Sequence, residues 1–222
     1  MSRAEHIVVV AGPTGSGKST LIDELAAGRL AEFERRMGIE RLAEWPRMAP
    51  ARALARIGQE PRNFILHYDF LWQRHKSDRA TGEPPALSIL ESAGKLSFAT
   101  LWTPAARLRR QVIEGKLQRA LQPGAAEALK AWGFKLLPRF ALPGLARSSW
   151  LKQIDRRSPG RALTHHLLLV ETYASPARVA GLYRQWFELC ERYRAKTRAH
   201  IIVELDRELK FYSREEWEEQ IV

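Results

Sequence analysis

Apolar residues in this chain fall into runs of two kinds, and their order along the chain defines the expected fold. Ile7, Val8, Val9 and Val10 form an unbroken β-branched run within His6 to Ala11, the pattern of a strand buried on both faces. From Gly17 to about Leu30 the spacing becomes helical, with Leu21, Ile22, Leu25 and Ala26 on one stripe. Residues 31 to 60 carry mixed helical signals interrupted by Pro46 and Pro50. The run NFILHYDFL, residues 63 to 71, predicts a second strand, and the turn-rich KSDRATGEPP at 76 to 85 follows it. A third strand is expected over KLSFATLW at 95 to 102. It runs into Thr103-Pro104, an N-cap with proline at the first helical position. The helix so opened turns Leu108, Val112 and Leu117 toward a core, with Arg107, Arg110 and Glu114 on another face.

Farther on, LTHHLLLVETY at 163 to 173 reads as a fourth strand. Ser175-Pro176 opens an amphipathic helix with Val179, Leu182, Tyr183, Trp186, Cys190 and Tyr193 at helical spacing. AHIIVELD at 199 to 206 predicts the last strand, and Ser213 with Glu216 makes a capping-box pattern that starts a short final helix. Strands alternating with helices argue for an α/β domain with a mainly parallel sheet. The chain of 222 residues is expected to form a single domain over 1–222. Residues 123 to 161, rich in proline and glycine among basic and aromatic residues, read as a lid or inserted segment.

Composition changes this picture in one respect. A hydrophobic share of 45% and a charged share of 27% are ordinary for a globular protein, and no run reaches the roughly 18 apolar residues of a membrane span. The N-terminal apolar stretch ends in a glycine-rich loop, as a strand does and a signal peptide does not. With Cys190 as the one cysteine, no intrachain disulfide is possible and a cytoplasmic location is expected. Cys190 falls on the apolar stripe of its helix, which implies packing. The net charge of +11 is unevenly placed: from Lys130 to Arg161 there are eight Lys or Arg against the single acid Asp155. Such a segment fits an anionic partner, either a phosphorylated substrate, a membrane surface or nucleic acid; a solvated basic loop is the alternative.

The chemistry is concentrated in GPTGSGKST, residues 12 to 20. Gly12, four residues, then Gly17-Lys18-Ser19 satisfies G-x-x-x-x-G-K-[ST], between an apolar strand and an amphipathic helix. Gly12, Gly15 and Gly17 let the backbone curl with its N–H groups turned inward, and the helix start adds its positive dipole end. This stretch resembles the Walker A motif of the P-loop NTPase superfamily, over about residues 6 to 28. The resemblance implies a three-layer sheet flanked by helices. It also implies that Gly12, Pro13, Thr14, Gly15, Ser16, Gly17, Lys18, Ser19 and Thr20 hold a nucleoside triphosphate. Lys18 would reach the β- and γ-phosphates and the Ser19 hydroxyl would ligate Mg²⁺.

Missing signatures narrow the reading. No D-x-x-G or [NT]-K-x-D guanine-reading motif, no LSGGQ-like signature and no strand ending in an Asp-Glu pair occurs. The opening GPTGSGKS is similar to that of tRNA dimethylallyltransferases, but their Asp-Ser-rich strand is missing. Small-molecule and nucleoside kinases of the superfamily resemble this chain more closely, with a carboxylate-tipped strand after the loop and an arginine-bearing lid. That likeness makes Asp69, in FILHYDFL, the residue that orients Mg²⁺ or accepts the proton of an attacking hydroxyl. Glu171, and Glu204 or Asp206, are the rival carboxylates. LWTPAARLRRQVIEGK offers Arg107, Arg109 and Arg110 for neutralising the transferring phosphoryl group. His165-His166 lacks a third ligand at metal-binding spacing. Trp102, Trp132 and Trp150 are available for stacking, though packing is the common fate of tryptophan. The expected activity is an ATP- and Mg²⁺-dependent kinase acting on an anionic or hydroxylated small-molecule acceptor. Two alternatives stand beside it. One is a sulfotransferase-like enzyme, whose loop usually lacks a Lys-Ser pair; the other is a nucleotide-dependent module contacting nucleic acid or membrane through its basic segment.

Overall fold

A computed structural model describes residues 4–56, 62–70, 87–112, 173 and 175–221. The chain divides into two compact units, one formed by residues 1–102 with 182–222 and the other by 103–181. The first contains one sheet. Its described strands are β1 (Ala4–Gly12), β2 (Arg47–Met48), β3 (Asn63–Asp69), β4 (Ala93–Trp102), β5 (Thr197–Leu205) and β6 (Leu209–Tyr212). They lie in the order β2-β3-β1-β4-β5-β6. All neighbouring pairs are parallel except β5 with β6. The observed class is therefore α/β, with a six-stranded, mostly parallel sheet flanked by helices.

Side-chain alternation explains both faces. Val8 and Val10 of β1, Ile65 of β3, Ala99 and Leu101 of β4 and Val203 of β5 point to one side. There they pack with Leu21, Ile22 and Leu25 of α1 (Lys18–Ala26) and Phe33 and Met37 of α2 (Ala31–Met37). The opposite face carries Phe98 and Thr100 of β4 and Tyr68 of β3. It receives the last part of α6 (Pro176–Arg192), where Trp186 lies 4.9 Å from Tyr68 and 5.6 Å from Phe98 between ring centroids. Trp186 donates its indole N–H to Thr100 Oγ1 at 2.8 Å, and Tyr183 donates its hydroxyl to the Leu101 carbonyl at 2.9 Å. These bonds satisfy the polar ends of large rings while their bodies stay buried. Cys190 is buried on this stripe, and that burial pushes its thiol pKa up, as befits a packing residue.

Differences from the expected elements have local causes. The helix after the glycine loop ends at Ala26, not Leu30, because Gly28 takes φ 67° and turns the chain. The second strand stops at Asp69. Of the stretch 163–173 only Tyr173 is described, and it is helical; the rest, with Glu171 and His165-His166, lies outside the described residues, as do 123–161, Leu117 and Glu114. Short α3 (Pro50–Ala55), α4 (Leu87–Ser92) and α7 (Arg214–Ile221) complete the first unit. At the start of α7 the capping box forms in both directions, Ser213 N to Glu216 Oε2 at 2.7 Å and Glu216 N to Ser213 Oγ at 3.1 Å. Among the described residues no helix is long and apolar enough to cross a membrane.

His6 gives the fold a pH dependence. It is 6% exposed at the start of β1, with Nε2 2.9 Å from Ser97 Oγ and its ring edge-on to Trp45. Burial first, then the charges of Arg198 and Lys95, lower its pKa to about 4, with Glu5 opposing. The unfolded chain thus binds a proton more readily than the folded one between pH 6.5 and about 4, so stability falls as pH falls through that window. The full loss amounts to about 3 kcal/mol at roughly 1.4 kcal/mol per pKa unit. His200, on β5 with its ring stacked on Phe187, also has its pKa lowered to about 4, so chemical denaturation at intervals between pH 7 and 4.5 is expected to show both contributions, and His6→Gln to remove only its own part of the slope. An unchanged slope in the variant would assign the loss to other groups.

Candidate functional site

The strand order places a topological switch point at the carboxyl end of β1. From β1 the chain travels outward to β2 at the sheet edge and returns to β3 beside β1. It then crosses β1 to reach β4 on the other side. Connections leaving β1 and β3 therefore run in opposite directions, and in open parallel sheets ligands bind at such a switch point, outside the carboxyl ends of the strands. GPTGSGKST leaves β1 at that point.

Local sequence shapes the loop. Gly15 and Gly17 adopt φ 86° and 91°, left-handed values that side chains with a Cβ resist. Gly12 is required by crowding: a Cβ there would lie 2.7 Å from Ser16 Oγ and 3.0 Å from the Leu101 carbonyl oxygen. Gly17 also faces Leu205, whose Cδ2 would be 3.1 Å from a Cβ. The turn is closed by Ser16 N donating to the Pro13 carbonyl at 3.1 Å. Gly17 is the N-cap of α1 and supplies no side-chain cap, and the first turn contains no acidic residue. The first turn thus brings no negative side chain of its own to the helix start, where the dipole favours an anion. Ser19 and Thr20 are exposed in that first turn, whereas Pro13, Ser16 and Lys18 are buried.

Asp69 joins the loop through strand register. It is the last residue of β3 and pairs with Gly12, the last residue of β1. It shares its sheet face with Ile65, the face that packs on α1. Its Oδ2 accepts from Lys18 Nζ at 2.9 Å and from Thr14 Oγ1 at 2.8 Å. Lys18 Nζ also donates to the Pro13 carbonyl at 2.7 Å and the Gly12 carbonyl at 3.0 Å. The pair is largely shielded, with side chains 4% and 13% exposed.

The remaining candidates are distributed differently. Glu204, on β5, is buried and accepts from the Tyr212 hydroxyl at 2.6 Å. It pairs in register with Trp102, whose ring meets Tyr212 edge-on at 5.3 Å. Asp206 lies in the turn after β5, where its N–H bonds to the Glu208 carbonyl. Arg107, Arg109 and Arg110 lie on α5 (Ala105–Val112), in the second unit. Leu101 and Leu205 are the residues that sequence reasoning missed. Both wall the loop from neighbouring strands and account for two of its glycines, and nothing in an apolar strand residue announces that contact.

Among the described residues no group of three or more His, Cys, Asp or Glu gathers as a metal cage. Asp69 at the end of β3 and the exposed Ser19 hydroxyl in the first turn of α1 are oxygen donors of the kind Mg²⁺ takes. Fold and loop together define an α/β protein with a curled glycine-rich loop and the Asp69 carboxylate at a topological switch point. No protein-family model, curated protein or solved structure matches the chain.

Proposed function

We propose that the chain is a P-loop kinase that binds ATP with Mg²⁺ and transfers the γ-phosphoryl group to a small-molecule acceptor. One observation supports this above the others: strand register brings Asp69 to Gly12, where it meets Lys18 and Thr14 of the loop. A phosphate cradle accounts for anion binding alone. A carboxylate at its rim adds what a transfer reaction needs, a group that holds a cation or accepts a proton.

Residues 12 to 20 bind the phosphate chain through backbone N–H groups, and Lys18 neutralises its terminal phosphates. Ser19 and Asp69 would hold Mg²⁺, which would supply positive charge to offset that of the phosphates. The acceptor oxygen forms a bond to the γ-phosphorus as the bond between that phosphorus and the β–γ bridging oxygen breaks, releasing ADP. Where Asp69 acts as the base in place of holding the cation, the acceptor's proton passes to it directly or through water; where it holds the cation, that proton passes to solvent. Arg107 and Arg110 enter this reading as candidates for the charge on the moving phosphoryl group, on the strength of their sequence context.

A thermal-shift screen of ATP, GTP, phosphoadenosine phosphosulfate and hydroxylated acceptors, each with and without Mg²⁺, tests the reading. The largest stabilisation is expected from ATP with Mg²⁺; at 100 times its dissociation constant the gain is about 2.7 kcal/mol. Preference for the sulfate donor would instead favour the sulfotransferase reading. No stabilisation by any nucleotide would exclude both.

A further inference from the structure

Cations collect at the amino end of the sheet, away from the glycine-rich loop, across β3, β1, β4 and β5, which lie side by side. Arg62 precedes β3, and its carbonyl accepts from Glu5 N of β1 at 2.9 Å. Lys95 of β4 stands in register with His6 of β1. A 3₁₀ turn, Arg194–Lys196, leads into β5. Lys196 Nζ donates to the carbonyl of Glu91, in α4, at 2.8 Å, which ties that turn to the start of β4. A bulge adds Arg198: Leu96 pairs with Thr197 and Ser97 with Ala199, so β5 holds one residue more than β4 at this point. An extra residue of this kind re-aims its side chain. The Arg198 guanidinium lies against Gly38 at the end of α2, with Nη2 3.4 Å from where a Cβ would sit. Lys95 and Arg198 both act on the His6 ring, which places the two charges near the same point.

Little on this rim offsets the positive charge. Lys95 and Arg198 are exposed and form no ion pair among the described residues, and a neutral carbonyl leaves the charge of Lys196 in place. Arg194 is 85% exposed and comes no nearer than 3.8 Å to Glu191, a surface pair of small worth. Glu5 and Glu91 are the other acids beside it. Residue type and spacing suit phosphodiesters. Arginine predominates, and its planar fork grips phosphate oxygens two at a time. Three strand spacings make the row about 15 Å long, the reach of about four nucleotides of one strand. A single row of cations matches the phosphates of a single strand. A lipid surface fits less well, because none of the described residues 94–95 and 194–198 is the large apolar side chain that enters an interface. Nine residues of β1 put this rim about 25 Å from the glycine-rich loop.

We propose that the amino end of the sheet binds the sugar–phosphate backbone of a single-stranded nucleic acid, through Lys95, Arg194, Lys196 and Arg198. Contacts to phosphate position the strand without reading its bases, so this surface takes nucleic acid regardless of sequence. It stands apart from the phosphate loop and does not rest on the kinase reading.

Fluorescence anisotropy of a labelled single-stranded oligonucleotide of about 20 nucleotides, titrated with the whole chain between about 50 and 200 mM salt, tests the surface. The unaltered protein is expected to bind with affinity falling on a log–log salt plot at a slope of about −2 or steeper, three or more phosphates at about 0.7 each. Lys95→Gln with Arg198→Gln is expected to bind about tenfold more weakly and to lose about 1.4 of that slope. Arg207→Gln with Lys210→Gln removes the same charge from exposed positions in the β5–β6 hairpin, at the opposite end of β5. That pair is expected to bind within about twofold of the unaltered protein. Equal weakening by the two pairs would overturn the surface, since net charge alone would then account for binding. No binding of the oligonucleotide by the unaltered protein would overturn it too, as would capture of phosphatidylserine vesicles in its place. Where loss of Arg198 disturbs α2 and the variant fails to fold, Lys95→Gln with Arg194→Gln repeats the comparison with the same expected results.

Discussion

Lys18→Ala is expected to abolish binding of ATP with Mg²⁺, weakening it by at least about 100-fold, or roughly 3 kcal/mol. The loss follows from position. Lys18 Nζ is nearly excluded from water at the mouth of the loop, where a charge-assisted bond to phosphate is stronger than at a surface. Alanine removes that bond and leaves the backbone N–H groups to hold the anion alone. The same change strands the Asp69 carboxylate, 13% exposed, with the Thr14 hydroxyl as the partner that remains from the loop. Breaking a shielded pair from one side costs about 3 kcal/mol of stability, so the ligand-free variant is expected to melt earlier. The decisive readout is therefore the shift each protein shows on adding ligand, supported by calorimetry. Stabilisation of Lys18→Ala by ATP equal to that of the unaltered chain would sink the assignment of residues 12 to 20 as a phosphate site.

Asp69→Asn separates binding from chemistry. With Mg²⁺ present, ATP binding is expected to stay within a few-fold of normal, because asparagine preserves the local shape while the loop and Lys18 still meet the phosphates. Phosphoryl transfer to whichever acceptor the screen identifies is expected to fall about 10³-fold, the usual worth of a positioned acid–base or cation-orienting group. A coupled assay for ADP production, run beside calorimetry, reads both quantities. Retention of full transfer would move the chemistry to another carboxylate. Glu204 is the described alternative at the carboxyl end of the sheet, held by Tyr212 on the face opposite to α1. Normal binding with lost transfer is the outcome that distinguishes a participating Asp69 from one that only supports the loop.

The candidate site was legible in unequal parts. Residues 12 to 20 announced themselves because the geometry they need is local: glycines where φ is positive, and a lysine one residue into a helix. Asp69 was legible as a carboxylate ending an apolar strand, but its partners were not. Which residue of the loop it meets depends on β3 lying directly beside β1 with Gly12 opposite Asp69. The short strands show the same limit. β6 alternates Leu209 and Phe211 toward the core with Lys210 and Tyr212 away from it, yet four residues are too few to stand out. The Asp206-Arg207-Glu208 turn before it also lacks the glycine or asparagine that marks a tight hairpin. β2 is two residues long and exists because it pairs with β3.

By itself, then, the sequence determined the quantities that depend on neighbours along the chain: the buried β1, the curled glycine loop, the amphipathic stripes of α1 and α6 and the reciprocal cap at Ser213 and Glu216. Tertiary structure alone decided the strand order, the walling of Gly12 by Leu101 and of Gly17 by Leu205, and the closure of Lys18 onto Asp69. The division has a physical basis. Backbone dihedrals, helical periodicity and capping are fixed over a few residues, whereas the loop and Asp69 are separated by some fifty positions. Only hydrogen bonding between β1 and β3 brings those two stretches within the reach of an ion pair.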